Sequence, residues 1–132
     1  MDRLLLLSAA NITAVPTFLQ EAAVTALATD PAPMRETYRK RRDYVCQRLA
    51  QMGLPFPQPE GAFYVFPSIG EFSMTSEEFC LRLIREGKVA AVPGTCFGSE
   101  GHISLSYCYE DAELERGLDR LEKFVNQLRE DL

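Results

Sequence analysis

The sequence predicts a two-layer α/β (α+β) domain, a small mixed or antiparallel sheet covered by helices. Three observations carry that expectation. Leu114, Leu118, Leu121, Val125 and Leu128 recur at spacings of three and four, the period of a helix with one apolar face. From His102 to Tyr107 polar and apolar residues alternate, the period of a strand buried on one side. Ala62 to Phe66 is an aromatic and β-branched run closed by Pro67, the composition of a buried strand.

The elements follow in order. Residues 16 to 29 predict a helix that tolerates Pro16 in its first turn and carries Phe18, Leu19, Ala22, Ala23 and Leu27 on one face. Asp30-Pro31-Ala32-Pro33 stops it. A second helix is expected over 34 to 52, with Met34, Tyr38, Val45, Leu49 and Met52 as its apolar stripe and Gly53 as its cap. Thr75 and Glu78 have the spacing of a capping box, so a helix should run from there to Glu86, turning Phe79, Cys80, Leu83 and Ile84 inward and stopping at Gly87. Val89 to Val92 reads as a short strand broken by Pro93-Gly94. In the strand 102 to 107, Ile103, Leu105 and Tyr107 share one face while His102, Ser104 and Ser106 share the other. The last helix is expected over 111 to 128.

Bulk properties exclude several function classes. The chain has 132 residues, enough for one domain with a core but short for a complete cofactor enzyme. A net charge of -5 argues against general nucleic-acid binding, which needs clustered cations to neutralise phosphates. The run Arg39-Lys40-Arg41-Arg42 is followed at once by Asp43 on a helix with an apolar side, so it reads as a solvated face. Cys46, Cys80, Cys96 and Cys108 contain no CxxC pair and read as reduced thiols, the first two as small buried hydrophobes. The apolar run Leu4 to Leu7 is too short for a secretion signal, and no stretch approaches a membrane span, so a cytoplasmic chain is expected.

Composition and spacing supply no catalytic set. His102 is the only histidine, and it points parallel to Ser104 and Ser106 rather than towards them, so no nucleophile and base pair forms on that strand. Gly94, Gly98 and Gly101 are spaced as turns and not as a phosphate-wrapping loop. Glu110, Asp111, Glu113 and Glu115 gather at a helix start, where the dipole favours them without a metal.

Function enters through a resemblance. GAFYVFP (61 to 67), VAAVPGTCFG (89 to 98), HISLSY (102 to 107) and GLDRLEKF (117 to 124), in that order, resemble the small C-terminal domain of class I/II (fold-type I) pyridoxal-phosphate aminotransferases, the aspartate aminotransferase family. NITAVPTFLQ, from Asn11, resembles the helix by which that family enters the small domain, so the likeness covers essentially the whole chain from there. The resemblance implies residues 1–14 as a remnant of the large-domain junction and 15–132 as the small domain.

It also implies a large upstream domain that binds pyridoxal phosphate and holds its lysine, amino acid and 2-keto acid substrates, and a homodimeric parent. Lys40, Lys88 and Lys123 do not stand in the family's cofactor-lysine context, so no catalytic, cofactor-binding or metal residue is expected in this chain, and the isolated chain should be inactive. In the family pattern an arginine on the last strand grips the substrate carboxylate. Ser104 occupies that position here and is the candidate substrate-binding residue. The alternatives are a free-standing binding or dimerisation domain with this fold, or a parent that is a carbon–sulfur lyase or an inactive homologue.

Overall fold

The computed structural model describes residues 2–11 and 14–131. Ile12 and Thr13, within the stretch compared to the family's entering helix, lie outside the described residues. The chain divides into two compact units, residues 1–34 and 35–132.

The first unit holds α1 (Asp2–Asn11), α2 (Thr17–Ala28) and the start of α3 (Ala32–Gln51). Pro16 caps α2 from an extended conformation at φ -52°. α2 forms where its stripe predicts, yet none of its residues is buried, and Leu27 is 89% exposed. Leu4 to Leu7 in α1 are likewise exposed.

The second unit is built around one core. From α3 come Val45 and Leu49, from the turn after it Met52, from α4 (Ser76–Arg82) come Phe79 and Cys80, and from α5 (Asp111–Glu130) comes the expected stripe with Phe124 added to it. Met34, expected on the apolar face of α3, is exposed instead, because it precedes the part of the helix that faces this core. α3 ends in a Schellman turn: Leu54 N–H donates to the Leu49 carbonyl at 3.1 Å, Gly53 N–H to Ala50 at 3.0 Å, and Gly53 takes φ +72°. Arg48 joins α3 to α5, donating to Asp119 at 2.7 Å and Glu122 at 2.9 Å.

The capping box is present as read: Glu78 N–H donates to the Thr75 hydroxyl and Thr75 N–H to the Glu78 carboxylate. The helix is shorter than expected, because its last turn widens into a π-turn over Leu83–Gly87. Widening rotates the side chains, so Leu83 is fully buried while Ile84, expected inward, is 47% exposed. The left-handed stop is Lys88, at φ +57°, and not Gly87. Gly87 packs closely, since a Cβ there would meet Leu83 Cδ1 at 2.9 Å and Phe124 Cβ at 3.4 Å and the leucine would have to shift.

The sheet has three antiparallel strands in the order β1-β3-β2, with β1 at Tyr64–Val65, β2 at Val92–Pro93 and β3 at Ile103–Ser106. β2 begins later than the expected Val89. Only Val92 and Pro93 pair with β3, and the chain turns at once into a 3₁₀ turn over Gly94–Phe97. Val65, Ile103 and Leu105 face the core with the helices, which gives the two-layer arrangement the sequence predicted. Tyr107 ends that row, 2% exposed, with its hydroxyl donating to the Ala62 carbonyl at 3.2 Å.

Candidate functional site

β3 alternates as its sequence dictates. Ile103 and Leu105 are buried, Ser104 and Ser106 are half-buried, and Ser104 therefore stands on the outer face of the sheet. The registers fix its neighbours. Tyr64 pairs with Ser106, Val65 with Leu105, and Ser68 bridges His102, which places Phe66 opposite Ser104 on one side. Val92 pairs with Ser104 on the other.

The turn before β3 is held by a clasp between buried Ser76 and exposed Glu100. Ser76, 0% exposed, donates its hydroxyl to Glu100 Oε2 at 3.1 Å, and its backbone N–H also points at that carboxylate. Gly101 N–H donates to Glu100 Oε1 at 3.0 Å, and Thr95 N–H donates to Ser76 Oγ at 3.4 Å. These backbone and hydroxyl donors hold the Glu100 carboxyl below the usual carboxylate value. Gly94 lies beneath the turn, where a Cβ would sit 2.1 Å from the Ser99 carbonyl oxygen, so no other residue fits.

The clasp positions His102. Its Nδ1 lies 3.2 Å from both the Glu100 carbonyl and Ser99 Oγ. Because a carbonyl only accepts, Nδ1 carries the proton in the neutral ring and Nε2 is left as an acceptor. The imidazole stacks on Phe66 at 5.1 Å with the planes 3° apart, and Phe97 meets Phe66 edge-on at 5.9 Å. Ser104 is thus flanked by an aromatic stack. Sequence alternation places His102 and Ser104 on one face; it misses Phe66, Val92 and Phe97, which only the strand registers and the 94–97 turn bring there.

Ser104 also lines a cavity of about 400 Å³, together with residues 88–92. Lys88 and Arg120 border this cavity, from a turn and from α5. Among the described residues no group of three or more His, Cys, Asp or Glu could hold a metal ion. The thiols are free, and burial pushes the Cys80 thiol up to about 11, with Cys96 adding to the shift, which makes Cys80 an inert packing group. Of the basic run, Arg39 and Lys40 are exposed as expected, whereas Arg41 and Arg42 are half-buried and paired, Arg41 with Asp111 at 2.7 Å and Arg42 with Asp43 at 2.7 Å.

An aldehyde cofactor needs an enclosed lysine. Lys40 and Lys123 are exposed on helices, and Lys88 Nζ donates to the Arg85 carbonyl at 2.6 Å. None is enclosed beside a phosphate cradle, so the residues of this chain do not fit pyridoxal phosphate. No helix among the described residues is long and apolar enough to cross a membrane.

A family model described as aminotransferase class I and II matches residues 2–121. A probable N-acetyl-LL-diaminopimelate aminotransferase of Bacillus subtilis is 45% identical over 125 residues, covering 91% of this chain and 32% of that protein. Aromatic-amino-acid aminotransferase 2 of Thermococcus litoralis is 41% identical over 124 residues, with 89% and 32% covered. Among solved structures, the aromatic aminotransferase of Pyrococcus horikoshii matches with a TM-score of 0.88 at 36% identity, over 97% of this chain and 36% of that one. The chain spans about a third of the length of the curated relatives it matches.

Proposed function

The chain belongs to the class I and II aminotransferase family, and on that premise we propose that it is the C-terminal part of a pyridoxal-phosphate-dependent aminotransferase that moves an amino group between an amino compound and a 2-keto acid. The observation that carries this reading is the match of nearly the whole chain to about a third of each relative, combined with lysines that do not fit the cofactor. In this reading residues 1–14 are the remnant of the large-domain junction, residues 15–132 form the small domain, and the rest of the parent supplies pyridoxal phosphate, its lysine and the dimer contact. The parent works in the cytoplasm.

The role of this chain is to present the outer face of β3 to the substrate. When bound in the parent, the cofactor supplies the electron sink for the amino transfer. Ser104, at the position where the family carries its carboxylate-gripping arginine, offers one neutral hydroxyl in place of a charged fork. Loss of such a charged partner costs about 2–5 kcal/mol in binding.

Borohydride reduction of the full-length parent with pyridoxal phosphate, followed by peptide mapping, tests the reading. The pyridoxyl label should fall on a lysine outside residues 1–132, and the isolated chain should show no stoichiometric label and no turnover. A single stoichiometric label on Lys40, Lys88 or Lys123 with turnover would overturn it.

A further inference from the structure

Ser104 is the centre of a row whose other members are apolar. Phe66, just after β1, stands opposite it where the register continues towards the Ser68–His102 bridge, and Val92 stands opposite it on β2; cross-strand side chains of this kind are about 5 Å apart at Cβ. Phe66 packs against His102 in the stack at 5.1 Å and against Phe97 in the edge contact at 5.9 Å, so three rings form this wall. Much of the surface is nevertheless open: Val92 is 45% exposed, Tyr64 51% and Phe97 60%. Along the outer face of the strands, Tyr64, Phe66, Ser68, Val92, His102 and Ser106 surround Ser104 without a lysine or arginine among them.

The polarity of this face discriminates between ligands. A carboxylate set between Phe66 and Val92 would give up water for one hydroxyl, which leaves most of its acceptor sites unpaired. An aryl or alkyl group at the same place would bury apolar surface on both walls and leave the Ser104 hydroxyl at its edge. We propose, resting on the aminotransferase-fragment reading above, that this face selects a primary amine lacking an α-carboxylate, an arylalkyl- or alkylamine, with Phe66, Ser104 and Val92 setting the preference. Arg120 of α5 and Lys88 of a turn line the cavity that Ser104 and Val92 also border, so the part they take at Ser104 is separated by substitution below.

The 132-residue chain tests this directly by nuclear magnetic resonance, with 2-phenylethylamine and L-phenylalanine as probes because they differ by the α-carboxylate alone. 2-Phenylethylamine should shift the Phe66, Val92 and Ser104 signals at concentrations about tenfold or more below those phenylalanine requires, a gap of about 1.4 kcal/mol. Ser104→Arg should reverse the order, and Val92→Ser should weaken the amine without helping phenylalanine. The second variant carries the test if the first does not fold.

An equal or tighter response to phenylalanine overturns the proposal, as does no response to either probe. A phenylalanine response abolished by Arg120→Gln would assign the anion contact to Arg120 and overturn it too. The titration reads this chain alone, so its outcome is separate from the lysine mapping. A label inside the chain removes the parent reading but leaves a measured amine preference standing, whereas a phenylalanine preference with the label outside removes only this inference.

Discussion

α2 and α5 both carry the apolar periodicity of a helix with one covered side, yet only α5 is covered. α5 buries Leu114, Leu118, Leu121, Phe124, Val125 and Leu128 in the core of residues 35–132, whereas α2 buries nothing and leaves Phe18 69% and Leu27 89% exposed. The contrast separates two properties that sequence patterns merge. Periodicity states which residues would be buried together; whether anything buries them depends on what packs there.

Truncation should expose the difference most strongly in the core. Phe79 is fully buried and meets Phe72 at 5.6 Å and Phe124 at 5.3 Å between ring centres. Phe79→Ala should lower the unfolding free energy by about 3–5 kcal/mol in urea titrations, through lost transfer energy and the cavity left behind. A cost near 1 kcal/mol would mean that the core of the second unit is far looser than its burial indicates.

Next in size is the capping box. Thr75→Ala removes the acceptor for Glu78 N–H at 3.2 Å and should cost about 1 kcal/mol, seen as a shift in the urea midpoint with an unchanged slope. Thr75→Ser should retain most of it.

The Glu100 clasp should make the second unit acid-sensitive. Its folded pKa is depressed, first by the Ser76 amide and then by that of Gly101. The unfolded chain therefore binds the proton more readily, so the contribution is fully present above the ordinary value of 4.5 and is lost as pH falls through the lower folded value. Glu100→Gln should flatten that part of the acid unfolding curve, followed by near-ultraviolet circular dichroism. An unchanged curve would show that Glu100 is not paired in solution.

The smallest effect belongs to α2. Leu27→Ala removes a side chain that is 89% exposed and should change stability by less than about 0.5 kcal/mol. A cost approaching that of Phe79→Ala would show that α2 is covered in solution, and would erase the contrast with α5.

Features written in local chemistry are legible in the sequence. The Thr75 and Glu78 capping box, the Gly53 turn, the α5 stripe and the alternation that sends Ser104 outward each depend on residues within one helical turn or one strand of each other. Ile84 and Gly87 depart from their expected roles because of the π-turn at Leu83–Gly87, where the bare Gly87 backbone lies close to Leu83 and Phe124. Val89 follows that turn and is carried past the point where β2 could begin with it. No local signal records it.

The candidate site divides in the same way. By itself the sequence determined that a serine stands outward on the last strand, since a period of two leaves no other orientation once Ile103 and Leu105 are buried. Only the tertiary structure decided that Phe66 and Val92 flank it, because strand register is a long-range choice made between residues 38 and 12 positions apart in the chain. It also decided that Phe97 closes the wall, since the turn that carries Phe97 there needs the clasp between Ser76 and Glu100 and the bare backbone of Gly94.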